Sequence, residues 1–298
     1  MMSAISQHYE RVENTRVGVG LRHEHYAEAL AQTSHSVDFL EIHAENFFAE
    51  GGVIPAFLDA LAEQYPLSIH GTAMGLGSAN GIDTGYLKRF CALVNRVDPI
   101  LVSDHACFTW GHAANQPLHA GDLLPLTYDQ ASLDILVNNI DRVQQALGRQ
   151  LLIENIVSYV NHRSDPMQEA EFLAQAATLT GCGLLVDLNN VLVNGQNFYP
   201  GNTAQYALNW LKTLPARAVR EIHLAGSSAV APGELVIDDH AQPVSHACWA
   251  LFQQAIHLFP GAATLIEWDN QLPTWTRLQE EAGTARFILA QTLIEEMS

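Results

Sequence analysis

Side chains that bind metals or transfer protons recur along this chain at the ends of short apolar segments. They are His43, His70, Asp104, His105, Glu154, Asp187, His223 and Glu267. Imidazole and carboxylate groups without a thiolate suit iron, manganese or zinc, whereas calcium and magnesium use fewer histidines. This set exceeds what one ion in an open catalytic site requires. The pattern therefore predicts two or three ions bridged by a carboxylate.

Three of the carboxylates follow runs of apolar residues, so we expect them to be buried. They are Glu154 in LLIEN, Asp187 in LLVDLNN and Glu267 in TLIEWD. An unpaired charge in such surroundings is strongly unfavourable. Lysine occurs only at positions 88 and 212, although Arg22 is available to pair with one carboxylate. Metal ions are therefore better general partners for these groups than salt bridges.

A further candidate pair lies in the segment LVIDDHAQPV. Asp238 and His240 are two residues apart and face the same way if the segment is extended, which turns Asp239 outward. The segment is equally well explained as an exposed acidic turn. A single histidine at the end of a strand is also more often structural than a ligand. The hypothesis of a metal site depends on several such residues meeting at one place.

The apolar segments that precede these residues have the composition of parallel strands buried on both faces. They span residues 17–21, 37–43, 67–71, 100–105, 151–155, 183–190, 219–226 and 263–269. The intervening segments are long enough for crossover helices, so eight units predict an α/β fold, a closed (β/α)8 TIM barrel. The carboxyl ends of its strands meet at one mouth. We expect one domain over residues 1–298, with a short N-terminal extension at 1–15.

Two of the intervening segments carry helix signals. Residues 129–149 place apolar side chains on one stripe, and residues 164–183 have Ser164 or Asp165 as a candidate N-cap and Gly181 as a terminator.

Two other segments have turn chemistry without helical or strand periodicity. Residues 71–86 and 108–128 follow the third and fourth strands, so we expect them to be long loops over the mouth. The glycines of the first, such as Gly75, would allow the backbone to flex over a ligand or approach it closely.

Composition indicates a globular enzyme with a large core. The chain has 298 residues, 48% hydrophobic and 15% charged, and a net charge of -18 that disfavours nucleic acid as a partner. The four cysteines are far apart and are expected to be buried thiols. The first residues lack the charge and apolar pattern of a signal peptide, and no run has the length of a membrane span. We therefore expect a cytoplasmic protein that does not bind a membrane.

Several sequence blocks resemble those of the multinuclear non-haem iron-dependent oxidative enzymes. The resemblance covers nearly the whole chain from Gly18. The blocks are EIHAENF (41–47), LSIHGTAMGLGS (67–78), VSDH (102–105), IEN (153–155), GCGLLVDLNNVLVN (181–194), EIHLAG (221–226), IDDHAQPV (237–244) and LIEWDNQLP (265–273).

This resemblance implies a TIM barrel that holds two or three irons as a mixed-valent Fe(II)/Fe(III) set, with O2 as co-substrate. It also implies oxidative modification of a ribosomally synthesised precursor peptide, commonly at cysteine. Enzymes of this group often work with a small partner protein that binds the leader of the peptide.

The resemblance further implies roles for individual residues. One iron would be held by His70, His105 and Glu154. Glu154 would bridge to a second iron held by Asp187, His223 and Glu267. A third or exchangeable site would use Asn190, Asp238 and His240. The mouth would be lined by His43, Glu45 and Asn46, as supports of the ligands or as substrate contacts.

The chain departs from the family pattern at three places. Asp104 stands where relatives have Glu, Ser227 stands where many have His, and no proline follows Asn155.

Two other functions are compatible with the residues. A manganese or zinc sugar isomerase or phosphoesterase on a similar barrel would be active without O2. A non-catalytic metal buffer or peptide scaffold would bind metal without turnover.

Overall fold

The computed structural model describes residues 16–32, 36–113, 116–160, 165–231 and 233–296; the proposed extension at 1–15 lies outside them. Each of the eight apolar segments contains a strand of a closed parallel barrel, which confirms the predicted fold. The barrel strands are β1 Val17–Gly20, β2 Phe39–His43, β3 Leu67–His70, β4 Leu101–His105, β7 Leu152–Glu154, β8 Gly183–Asp187, β9 Val219–Leu224 and β10 Ala263–Ile266.

The strands are hydrogen-bonded in the order β1-β10-β9-β8-β7-β4-β3-β2. Helices of the described residues cover the outside of the barrel and pack on it through a continuous apolar cluster. They are α1 Tyr26–Ala31, α2 Val53–Gln64, α3 Thr84–Val97, α4 Gln130–Leu147, α5 Glu169–Thr180, α6 Leu188–Phe198, α7 Thr203–Thr213, α8 His246–Leu258 and α9 Trp275–Glu296. None of the described helices is long and apolar enough to cross a membrane.

The two predicted helices are present, but one begins later than its sequence suggests. Helix α4 buries the predicted apolar stripe and ends at Gly148, which has a left-handed backbone. Helix α5 begins at Glu169, with Gln168 and Glu171 forming a capping box. The carboxylate of Asp165, one predicted cap, instead accepts a hydrogen bond from the backbone N–H of Tyr128 at 3.2 Å. Ser164 lies outside the described residues.

The expectation of an irregular loop at 108–128 is wrong. Strands β5 Cys107–Ala113 and β6 Gln116–Pro125 pair as an antiparallel hairpin with an irregularity between Phe108 and Trp110. The segment alternates poorly between apolar and polar residues, which hides its strand character. The two strands pair with each other, and the hairpin also contacts the loop after β3.

The glycine-rich loop after β3 is packed rather than free. Ser78 Oγ accepts hydrogen bonds from the backbone N–H groups of Thr109 and Trp110, both at 3.2 Å. Gly75 has φ +67°, and a Cβ there would overlap Thr109 Oγ1. The loop is therefore a rigid support for the hairpin, which argues against the flexible covering expected from its glycine content.

We expect Gly75→Ala to destabilise the fold more than Gly201→Ala. Both glycines have left-handed backbones, which cost an L-residue about 1–2 kcal/mol, but a Cβ at Gly201 meets nothing within 4 Å. The overlap at Gly75 should raise the total to about 3 kcal/mol or more. Urea unfolding of the two variants checks this, and equal losses would show that the loop yields easily.

Candidate metal centre

An open cavity of about 210 Å³ lies at the carboxyl ends of the barrel strands. Because residues i and i+2 of a strand face the same side, inward-facing residues at several strand ends reach this cavity, such as His70, His105 and Glu154. Its wall includes six carboxylates and, among the lining residues described, no lysine or arginine. The carboxylates are Asp122, Glu154, Asp238, Asp239, Glu267 and Asp269.

His70, His105 and Glu154 form a compact group at the buried end of the cavity. His70 Nε2 lies 3.3 Å from His105 Nε2 and 3.3 Å from Glu154 Oε2, and His105 Nε2 lies 3.2 Å from the same oxygen. Metal bonds of about 2.0–2.2 Å place neighbouring ligands at separations of this order. His70 Nδ1 lies 2.8 Å from Ser103 Oγ, so the hydroxyl can hold the Nδ1 proton and leave Nε2 free for a metal.

Glu154 also belongs to a second group, with Asp187, His223 and Glu267. One ligand atom from each of the four residues lies within 4.8 Å of the others. His223 Nδ1 lies 3.0 Å from Glu267 Oε2 and 4.0 Å from Glu154 Oε1. One carboxylate therefore stands between two groups of ligands, which is the arrangement of a bridging residue.

Asp238, His240 and Asn190 meet at the wall of the same cavity. His240 Nε2 lies 2.7 Å from Asp238 Oδ1 and 3.7 Å from Asp187 Oδ2. The segment is not an extended strand, because His240 has φ +41°. An extended segment was the expected reason for Asp238 and His240 to face the same way. That reason is wrong, although the two side chains do meet.

Asp239 stabilises this irregular segment. Its Oδ1 accepts hydrogen bonds from the backbone N–H groups of Ser228 and Ala241, at 2.9 and 3.3 Å. Asn189 ties the segment to α6, because its Nδ2 donates to Ser227 Oγ and to Asp238 Oδ1, both at 2.9 Å. Ser227 therefore helps to place Asp238.

Of the residues expected at the mouth, the cavity wall includes His43 but neither Glu45 nor Asn46. Glu45 Oε1 accepts hydrogen bonds from the Thr72 backbone N–H at 2.9 Å and from the Tyr86 hydroxyl, and Asn46 is exposed. Asp104, expected in the cavity, is buried outside its wall, and its Oδ1 accepts from the backbone N–H of His105 at 2.7 Å. Successive residues of a strand face opposite sides of the sheet. Asp104 therefore points away from the cavity that His105 faces.

Sequence reasoning missed three acidic residues close to the site. Asp269 pairs with Arg22, and its Oδ2 lies 3.3 Å from His240 Nδ1. Glu41 and Glu221 lie inside the barrel close to His223. The signal for these two was the repeated EIH pattern, because the residue two before an inward-facing histidine also faces inward.

The electrostatics of the site favour bound cations. Burial lowers the pKa of His105 to about 4, so its ring is neutral at pH 7. Burial raises the pKa of Asp187 to about 7 and that of Glu154 well above its usual value, because loss of solvent disfavours the charged form of a carboxylate. Buried atoms without hydrogen-bond partners include Glu154 Oε2, Asp187 Oδ2 and Asn190 Oδ1. These residues fit a metal centre in number, type and unmet bonding capacity.

We expect the metal-free protein to lose stability as pH rises from 6.5 to about 8.5. Buried Asp187 and Glu154 keep their protons to higher pH when folded than when unfolded, so the unfolded chain binds fewer protons in this range. Buried histidines with lowered pKa, such as His105, are neutral in both states above pH 6.5 and do not contribute.

Bound metal should reverse this trend, because its ligands must be deprotonated. Thermal unfolding of chelator-treated and metal-loaded protein across the range checks both slopes. A metal-free melting temperature that rises over this range would contradict the assignment of raised carboxyl pKa values.

Residues 16–290 match the family model described as "RiPP precursor modification enzyme MbnB/TglH/ChrH". The chain belongs to this family. RiPPs are ribosomally synthesised and post-translationally modified peptides, so membership supports an enzyme that modifies a precursor peptide. It also confirms the family resemblance seen in the sequence blocks.

Relatives of similar length carry the name UPF0276 protein. One from Rhizorhabdus wittichii is 43% identical over 270 residues, which cover 90% of this chain and 93% of the relative. Another from Rhizobium meliloti is 39% identical over 275 residues, which cover 91% and 86%.

Solved structures confirm the barrel fold at low sequence identity. A xylose isomerase domain containing protein from Salmonella typhimurium has a TM-score of 0.58 at 15% identity, covering 93% of this chain and 98% of the other. Endonuclease IV from Thermus thermophilus has a TM-score of 0.57 at 13% identity, covering 93% and 99%. At such identities the likeness is one of fold alone.

Proposed function

We propose that this enzyme uses a multinuclear iron centre and O2 to modify a precursor peptide oxidatively at cysteine. The observation that carries the proposal is Glu154, whose carboxylate is shared by two groups of buried ligands at the end of an open cavity. His70 and His105 would hold one iron with Glu154. Asp187, His223 and Glu267 would hold the second, and Asn190, Asp238 and His240 a third or exchangeable one.

The donor set is compatible with iron. It combines imidazoles with carboxylates and has no thiolate of its own, which suits iron, manganese or zinc. A mixed-valent Fe(II)/Fe(III) centre would supply O2 activation and a site for the sulfur of a substrate cysteine. Such a centre explains why the cavity needs several ligands and an opening to solvent.

The protein would place the substrate and exclude water around the reacting sulfur. Leu123, Ile156 and Val157 form an apolar part of the cavity wall. His43 Nε2 has no hydrogen-bond partner, and burial lowers the pKa of this ring to about 4. A neutral His43 can accept a hydrogen bond from a substrate amide or thiol, which would orient the cysteine side chain.

The surroundings of the mouth support a peptide substrate. Exposed apolar side chains cluster on segments that follow β4, β7 and β9, where a peptide could dock beside the cavity. They are Phe108, Leu118, Tyr159, Val160, Val230, Leu235 and Ile237. A small partner protein that binds the peptide leader would add a second contact and remains part of the proposal, as does a cytoplasmic location.

The proposal is tested by metal content and oxygen consumption. Protein purified without oxygen should contain two or three irons per chain. It should consume O2 only when the precursor peptide encoded beside its gene is added. Iron-loaded protein that turns the peptide over equally under argon would contradict the role of O2.

A sugar isomerase is the second candidate, because imidazole and carboxylate ligands suit manganese and zinc as well as iron. Manganese or zinc and activity under argon would identify it. A phosphoesterase would use the same ligands, because paired metal ions bind phosphate oxygens without lysine or arginine.

A further inference from the structure

Glu41 and Glu221 form a polar layer inside the barrel, directly beneath the candidate metal ligands. Both are fully buried, and each lies two residues before a histidine that faces the cavity or its ligands. Barrel interiors are usually filled at such positions by branched apolar side chains. Burying two carboxylates destabilises the fold unless a neighbouring group pairs with them.

That neighbour is the imidazole of His223, whose two nitrogens face different layers. Nδ1 lies 3.0 Å from Glu267 Oε2, on the side of the candidate metals. Nε2 faces down, 3.6 Å from Glu41 Oε1 and 3.9 Å from Glu221 Oε1. A metal bound at Nδ1 needs the lone pair of that nitrogen, so the ring N–H must then be on Nε2, where it points at the two carboxylates.

We propose that Glu41, supported by Glu221, is a positioning residue that holds the Nε2–H of His223 and so fixes this ring as a metal ligand through Nδ1. Ligand histidines generally donate their other ring N–H to a carboxylate, which sets the tautomer and raises the basicity of the ligand nitrogen. The nearer separation of 3.6 Å exceeds the upper limit of an N–H···O hydrogen bond by about 0.4 Å, so metal binding would have to draw His223 and Glu41 together.

The environment of Glu41 is built for this task. Ser68 Oγ donates to Glu41 Oε2 at 3.0 Å, which fixes the carboxylate and leaves Oε1 directed at His223 without another partner. Ser103 supports His70 as Glu41 would support His223, since the Ser103 hydroxyl lies 2.8 Å from His70 Nδ1. The layer beneath the metal ligands therefore supports histidines on at least two sides of the barrel.

The inference rests on the proposed metal centre but not on the peptide or on O2. Its test uses Co(II) and Fe(II) binding to the whole protein, measured anaerobically by competition with a chelator. Glu41→Leu should weaken binding by about 10–100-fold and alter the visible spectrum of bound Co(II). Glu41→Gln keeps an acceptor oxygen and should recover most of the affinity. It also provides a readout if the leucine variant fails to fold.

Matched controls separate the possible outcomes. Glu169→Gln removes a buried carboxylate that is bonded to Trp210 and Tyr128 and is not part of the cavity wall. The glutamine oxygen can still accept from the backbone N–H of Ile156, so metal binding and the spectrum should be unchanged. Wild-type affinity and spectrum in both Glu41 variants would overturn the inference. Loss of one whole metal equivalent would also overturn it, because Glu41 would then be a ligand itself. Failure of the wild-type protein to bind metal would instead refute the proposed function.

Discussion

Glu154→Gln is expected to lose at least one iron per chain while the barrel remains folded. Glutamine can offer one neutral oxygen to one metal, but it cannot bridge two with a negative charge. The effect on folding should be small, because burial already favours the protonated, neutral form of Glu154 in the metal-free protein. Iron analysis of anaerobically purified protein and circular dichroism measure the two properties.

The matched control for this variant is again Glu169→Gln. Burial raises the pKa of Glu169 to about 7, so this carboxylate too is poorly ionised in the fold, but it lies outside the cavity. We expect the control to retain all of its iron. Full iron occupancy in Glu154→Gln would refute the bridging role, and equal iron loss in both variants would indicate a general effect on folding.

Replacing the target cysteine of the precursor peptide with serine should abolish peptide-dependent O2 consumption. A serine hydroxyl is far less acidic than a thiol, so it does not form at neutral pH the anion that would hold the substrate on iron. An oxygen electrode and mass spectrometry of the peptide report the loss of turnover and of product.

A peptide in which a different serine is changed to alanine serves as the control and should be modified normally. Loss of the peptide thiol can also be followed with a thiol reagent. The enzyme's own thiols should add little to that signal, because Cys107, Cys182 and Cys248 are buried and Cys91 is partly buried. Unchanged turnover of the serine peptide would show that the chemistry occurs at another residue.

The barrel and most of its candidate ligands follow from local sequence. An apolar run that ends in His, Asp or Glu defines both a buried strand and the residue at its carboxyl end, and parallel strands in a barrel bring those ends together. For this reason His70, His105, Glu154, Asp187 and His223 could be placed at one mouth before the structure was known. The spacing within one strand is enough to make that prediction.

Other features depended on contacts between distant segments. The hairpin at 107–125 was not predicted, because its pairing is poorly reflected in alternation of apolar and polar residues. The packed state of the loop around Gly75 depends on Thr109 and Ser78, which belong to different segments. Glycine content alone was compatible with either a mobile or a rigid loop.

The sequence by itself determined which strand ends carry ligands, because side-chain direction alternates along a strand with a period of two. The family resemblance already implied which candidate ligands group around Glu154. Only the tertiary structure showed that each group is compact and that Glu45 and Asn46 stay out of the cavity wall. Those outcomes depend on the register between neighbouring strands and on irregular segments such as the turn at His240. The distances between side chains on different strands are set by packing across the barrel. No local sequence pattern specifies that packing.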